Sequence, residues 1–523
     1  MREVRFRVDI WVLLLAIFIA PNLMAAEAPS MDAEAYYNRG VSYGKKGEYD
    51  RAIADFTKAL EINPRLAQAY YNRGVAYERK GEYDQAIADY TNALELSPSN
   101  DAYYNRGNAY ESKGRHDEAI ADFTKALQIN PMDAEAYTNR GTAYWSKGRY
   151  DQAIADYTKA LEINPRLAEA YTGRAAAYRS KGQQDQAIAD YTNVLQINPS
   201  DAQVYTNRGR AYGNKSQYDQ AIADFTKALQ ISPRYDAAYN LRGAAYLIKG
   251  QYEQAIADFT KALEINPSDA ESYTNRGRAY RSKGRYEQAI ADFTKALEIN
   301  PNNAEAYNNR GRAYESKGQH DRAIADHTKA LEINPRYADA YNNRGIAYDS
   351  KGQYEQAMAD YTKALEIDPS NAEAYYNRGI AYRSKGQYDQ AIADYTKALE
   401  LNPRFADAYV NRGHACESKG QYDQAIADYT KALEINPSHA LAYNNRGYAY
   451  RRRGEYERAI ADYIKALEIN PRFALAYQNR AGGYYFLKDY DRAWEDVHKA
   501  QELGAKIGAG FLKNLREESG REK

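Results

Sequence analysis

The stretch AEAYYNRGVSYGKKGEYDRAIADFTKALEINPRL, residues 33–66, decides the fold. With its 34 positions numbered from Ala33, Ala35, Tyr36, Gly40 and Tyr43 stand at 3, 4, 8 and 11, the spacing of one helix face. Gly47 at position 15 fits a left-handed helix stop, since it has no Cβ to clash there. A second helical stripe follows at positions 17, 20, 21, 24, 27 and 28, occupied by Tyr49, Ala52, Ile53, Phe56, Ala59 and Leu60. Asn63-Pro64 closes that helix, because the residue before proline avoids helical angles. Two helices of three to four turns joined by a short turn make an antiparallel pair. Small residues at positions 8 and 20 let the two backbones approach.

The unit recurs along the chain. Prolines at 64, 98, 131, 165, 199, 233, 267, 301, 335, 369, 403, 437 and 471 step by 34 residues, with a single step of 33 into Pro131. They close thirteen repeats, and a fourteenth runs to about residue 507 with Ala505 in the proline slot. The composition agrees: 53 Tyr against 11 Phe and 3 Trp marks one unit copied many times. A single pair cannot bury both of its stripes, so the pairs must stack on one another into an all-α solenoid.

Tyr-x-Asn-Arg-Gly-x-Ala-Tyr, then Gly-x-Tyr-Asp-x-Ala-Ile-Ala-Asp, then Lys-Ala-Leu-Glu-Ile-Asn-Pro resembles the tetratricopeptide repeat. The resemblance covers about nine-tenths of the chain. It implies an α-α superhelix, a right-handed solenoid with first helices lining the inside and a C-terminal capping helix. This sequence departs from the family at two positions: Tyr replaces the usual Trp at position 4, and Arg replaces the usual Leu at position 7 in every repeat, from Arg39 to Arg480. Position 23 is Asp throughout, from Asp55 to Asp496. Family-like packing would face the two, so a repeated Arg–Asp bridge is expected, as between Arg39 and Asp55. Its worth would lie in pairing specificity, because desolvation offsets much of the attraction. The other reading is a ladder of ligand-binding arginines.

By the same resemblance, positions 2, 5, 6, 9, 12 and 13 point into a groove that binds extended peptide segments. Position 6 is Asn in twelve repeats, at Asn38, Asn72, Asn105, Asn139, Asn207, Asn275, Asn309, Asn343, Asn377, Asn411, Asn445 and Asn479, with Gly173 and Leu241 as breaks. An amide donates and accepts, so such a row can pair with peptide bonds in both senses. It is similar to the inner asparagine ladder of the O-linked N-acetylglucosamine transferases. Alternatively, the row is a solvated residue copied by duplication. Specificity is expected from positions that vary. Tyr37, Tyr71 and Tyr104 at position 5 suggest an aromatic strip, and Leu241, Leu247 and Ile248 suggest an apolar pocket. Arg210, Arg278, Arg281 and Arg312 suggest a basic stretch suited to carboxylates, and Trp145 an exposed aromatic.

Lys plus Arg and Asp plus Glu are equal at 71 each, so no net field draws the chain to nucleic acid. One cysteine, Cys416, leaves no disulfide framework or multi-cysteine metal site. His116, His320 and His327 stand in slots that are aromatic elsewhere and read as core rings, Cys416 as a buried thiol, and His414 as a groove residue without a partner. No phosphate loop, zinc spacing or nucleophile elbow occurs, so neither catalysis nor a cofactor is expected. Only 32 residues precede the array and 16 follow it, too few for a catalytic domain.

Arg2, Arg5 and Arg7 followed by the apolar run from Ile10 read as a signal peptide or membrane anchor over 1–26, with a linker at 27–32 and repeats over 33–507. Either form would place the repeats outside the cytoplasm, periplasmic or secreted. Residues 508–523 carry Phe511, Leu512 and Leu515 on one face, as a capping helix would. The expected function is a non-catalytic scaffold for other proteins. The runner-up is a polysaccharide-associated or envelope-assembly protein of the periplasm, because tyrosines stack on sugar rings.

Overall fold

A computed structural model describes residues 31–521 of the chain. The segment expected as a signal peptide or anchor lies outside those residues, and no described helix is long and apolar enough to cross a membrane. Among the described residues the regular structure is twenty-nine helices, α1 to α29, with no strand. They belong to two compact units, one ending at Ala245 and the other beginning at Tyr246. The same local rules build both.

The first pair is α1 (Ala33–Lys45) and α2 (Tyr49–Ile62). Gly47 sits between them at φ +77°, the left-handed stop expected of it. Ser216 and Lys488 hold the equivalent turn at φ 59° and 62° without that freedom. Position 20 is sealed, as at Ala52 (0% exposed), and the ring at position 24 fills the space between the two helices. Glycine at position 8 answers that ring. A Cβ on Gly345 would stand 2.6 Å from Cε1 of Tyr361, too close for any real contact. In repeat fourteen Val497 replaces the ring, and Ala481 opposite it carries its methyl fully buried.

The expected Arg–Asp bridge is present. Arg39 Nε and Nη2 donate to Asp55 Oδ2 and Oδ1, both at 2.7 Å. The same pairing recurs from repeat to repeat, on to Arg480–Asp496. Parallel two-point contact of this kind suits a planar guanidinium far better than an ammonium. The third nitrogen is used as well: Arg73 Nη1 donates to Thr57 Oγ1 of the preceding repeat at 2.9 Å, and Arg412 repeats this on Thr396 at 3.0 Å. One arginine therefore closes its own helix pair and fastens it to the pair before. That leaves these side chains committed to the scaffold rather than open to a ligand.

A second ladder joins successive repeats at the surface. Lys80 meets Asp50 at 2.8 Å, Lys317 meets Glu287 at 2.7 Å, and Arg453 meets Asp423 at 2.6 Å. Beyond repeat fourteen, α29 (Ala509–Ser519) continues the register in the place of a first helix. Arg521 pairs with Asp491 as the lysines do, and Leu515 is fully buried beside Tyr484, Trp494 and Val497.

Candidate peptide-binding face

Within each unit first helices touch across repeats, as Ala134–Ser146 with Ala168–Ser180 and Ala304–Ser316 with Ala338–Ser350, while no two successive second helices approach as closely among the described residues. Each unit therefore bends with its first helices on the inner side. Side chains at positions 5, 6, 9 and 12 stand on those helices, one or two turns apart, and make up the face that a partner would meet.

Position 6 does more than face outward. Asn72 Nδ2 donates to Tyr37 OH at 2.9 Å, Asn105 to Tyr71 OH at 2.9 Å, and Asn139 to Tyr104 OH at 3.0 Å. Where position 5 carries Asn, the amide donates to it instead: Asn343 to Asn308 at 3.0 Å, Asn377 to Asn342 at 3.2 Å, and Asn479 to Asn444 at 2.9 Å. Each link crosses from one repeat to the next. Among the described residues nothing donates to the oxygens of Asn72, Asn105, Asn139, Asn343 or Asn377. The row is thus oriented by its NH2 groups and presents unused acceptors.

The remaining members vary with what precedes them. Asn411 donates to Tyr376 OH at 2.8 Å and accepts from Arg383 at 2.9 Å. Asn309 turns back to Glu305 O at 3.0 Å. Asn207 accepts from Gln203 at 3.3 Å, and Asn445 from Asn444 at 3.1 Å. Asn38, with no repeat before it, is exposed, and Asn275 is half-buried. Thr138, Thr172, Thr206 and Thr274 at position 5 bond their own helix, as Thr138 does to Ala134 O at 2.8 Å, and offer no such landing point.

The three early tyrosines form no free aromatic strip. Tyr37, Tyr71 and Tyr104 are half-buried, and their rings tilt against Phe56, Tyr90 and Phe123 with centroids 5.9 Å apart. Burial raises the hydroxyl pKa of Tyr71 and of Tyr104. Their hydroxyls are acceptors for the asparagines.

Leu241 and Leu247 are half-buried on α13 (Asp236–Ile248), and Ile248 is 61% exposed. Arg210 is exposed on the inner face of the first unit. In the second, Arg278 and Arg281 lie three residues apart on α15 (Ala270–Ser282), with Arg312 on α17 (Ala304–Ser316) of the next repeat. Trp145, 39% exposed, borders an open cavity of about 490 Å³ lined also by Tyr157, Gly173, Ala176 and Val194.

The histidines keep to structural surroundings. His327 is fully buried, and burial followed by Arg312 and Arg344 pulls its pKa down to about 3. His116 and His320 are half-buried rather than sealed in the core, and bond Glu111 at 2.8 Å and Glu315 at 3.0 Å. Cys416 is buried, and burial pushes its thiol up to about 11, which favours the protonated form. Among the described residues no group of His, Cys, Asp or Glu could hold a metal ion.

Sequence reasoning missed the position-5 asparagines, Asn308, Asn342 and Asn444, on which the ladder rests. Their signal was substitution for Tyr at a single position, two residue types that both carry an oxygen able to accept. It also missed Thr at position 25, the arginine's partner in the neighbouring repeat, although twelve repeats carry it.

Stacked helix pairs of one repeated sequence, with no reactive cluster on their inner faces, define the class of α-helical repeat solenoids. A family described as tetratricopeptide repeat matches residues 33–66, 67–100, 101–133, 134–167, 202–235, 237–269, 304–337, 372–405, 406–439 and 440–473. The chain belongs to the tetratricopeptide repeat family. Related repeat families match 175–216 and 156–189, among other stretches. Among solved structures it is similar to the APC/C hetero-tetramer Cut9-Hcn1, at 17% identity over 87% of this chain and 96% of that one, TM-score 0.42. It is also similar to YrrB, titled a TPR protein with an unusual peptide-binding site, at 32% identity over 35% of this chain and 95% of that one, TM-score 0.32. No curated protein matches the sequence at a significant level.

Proposed function

We propose that the chain is a non-catalytic scaffold that holds extended segments of partner proteins along the inner faces of its two units. One observation carries this reading: the amide oxygens of Asn72, Asn105 and Asn139 in the first unit, and of Asn343 and Asn377 in the second, are fixed in direction by hydrogen bonds between repeats and take no donor among the described residues. Extended backbone presents N–H groups at regular intervals, and such donors are what the row lacks. Fixing the acceptors beforehand spares part of the ordering cost of binding. A partner held by its backbone is read only weakly, so choice among partners falls to positions 5, 9 and 12, which differ between repeats. Sugar stacking is less well supported, since the rings of Tyr37, Tyr71 and Tyr104 already rest on core rings. The sequence at 1–26 supports export of the repeats, and N-terminal sequencing of the chain from its own envelope tests that.

The groove reading is tested by partner capture with Asn343→Ala/Asn377→Ala. Capture should fall at least tenfold while helix content is unchanged. Full capture by a folded double variant would sink it.

A further inference from the structure

Cations on this scaffold are ordinarily matched. Position-7 arginines hold Asp and Thr, and position-14 lysines hold the acid of the preceding repeat. Arg281 breaks the rule. Its Nε is buried without a hydrogen-bond acceptor. Burial is the first cause that pulls its pKa down to about 10, and the neighbouring charges of Arg312 and Arg278 add to it.

The surroundings do not relieve it. Arg278 reaches one carboxylate, Glu305, at 3.5 Å. Arg312 is exposed and meets no carboxylate among the described residues. Glu315, one turn further along α17, is engaged by His320 Nδ1 at 3.0 Å and by Ser350 Oγ at 3.0 Å. Tyr286 lies within electrostatic reach of Arg281, and His327, kept from protonation by burial, within reach of Arg312. Other arginines at position 12 share part of this condition, since Arg179 and Arg451 also bury a nitrogen without an acceptor. Arg281 alone has arginine at position 9 both in its own repeat and in the next. Neighbouring guanidiniums repel one another, and an unpaired charge drawn even partly out of water costs more than an exposed one. An anion seated among them would receive charge-assisted hydrogen bonds from planar, forked donors.

We propose that Arg278, Arg281 and Arg312 form a receptor for a doubly charged anionic group, a phosphoryl group or two adjacent carboxylates, on the bound segment of a partner protein. This rests on the inner-face reading above and adds a chemical requirement to it. The chain is neutral overall, so the attraction is local, acting on a segment already lying along the second unit. Glu305 competes for the site through Arg278.

The test uses the full chain and short fluorescent peptides carrying phosphoserine, Asp-Asp or Asn-Asn, read by anisotropy at low salt, with inorganic phosphate as competitor. The phosphoserine and Asp-Asp peptides should bind at least tenfold tighter than Asn-Asn, and whichever binds tighter names the source of the anion. Arg281→Gln and Arg312→Gln should each lose about tenfold, Arg210→Gln nothing, and Glu305→Gln should bind tighter. Arg281→Leu should also raise the melting temperature of the free chain, because it removes an unpaired charge. An arginine with a purely structural role would lower it. No preference for the acidic peptides, or equal binding by the Arg281 and Arg312 variants, overturns the receptor. Loss of partner capture in Asn343→Ala/Asn377→Ala with no effect at Arg281 would overturn this proposal and leave the groove reading standing.

Discussion

At the scale of the residue, the repeated arginine shows how one side chain sets a packing pattern. Arg378 bonds Asp394 at 2.7 and 2.8 Å and Thr362 of the preceding repeat at 3.0 Å. Its partner carboxylate is almost wholly enclosed. Arg378→Leu strands that carboxylate and is expected to cost about 3 kcal/mol, while Arg378→Leu/Asp394→Leu costs less than the single change. Urea unfolding of both variants checks this. His327 makes a different prediction. Its folded pKa, about 3, lies below the ordinary 6.5, so the native state resists its protonation. Stability from this group is complete above about pH 6.5 and is lost as pH falls toward 3. At pH 5 the loss is about 2 kcal/mol. His327→Tyr places a hydroxyl near Glu315, as Tyr90 OH reaches Glu78 at 2.6 Å. The variant should melt higher than wild type at pH 5 and nearly equal to it at pH 7.5. An unchanged gap between the two pH values would refute the assignment.

At the scale of the element, the end of the array explains itself by register. Counting from Gly508, Phe511 takes the position-4 tyrosine slot, Leu515 the glycine slot and Arg521 the lysine slot. Among the described residues no ring presses on Leu515 from a second helix, and its side chain packs instead beside Tyr484, Trp494 and Val497. Trp494 Nε1 donates to Ser519 Oγ at 3.1 Å, tying the cap to α28 (Tyr490–Glu502). Deleting 508–523 uncovers Trp494 and Val497 and should lower the local stability of repeat fourteen by about 3 kcal/mol. Hydrogen exchange in α28 should accelerate while helices of the first unit keep their protection. Uniform acceleration along the chain would contradict the nearest-neighbour picture.

For the whole molecule, two kinds of ion pair carry different weight. The Lys–acid ladder lies in water: Asp50 and Asp321 are 86% and 85% exposed. Such pairs contribute little to stability and are screened by salt. The Arg–Asp pairs are shielded, with carboxylates below 10% exposure, as at Asp89 and Asp394. Melting in 1 M NaCl should therefore fall by only a few degrees from its low-salt value. A collapse on adding salt would mean that the surface ladder, not the enclosed pairs, holds the repeats together.

The sequence by itself determined the helix pair, its turn at Gly47, the stacking and the Arg39–Asp55 bridge, because each follows from a short period copied along the chain. Local spacing fixes which side chains share a face, and repetition fixes what that face must meet. The tertiary structure alone decided where polar groups find partners between repeats. It turned Tyr37, Tyr71 and Tyr104 from an aromatic strip into acceptors for asparagines about 35 residues away. It also separated Arg276, locked to Asp292, from Arg281, five residues on and without an acceptor. Such differences depend on which donor reaches which acceptor across a packed interface, a distance of an ångström or two that no sequence period records.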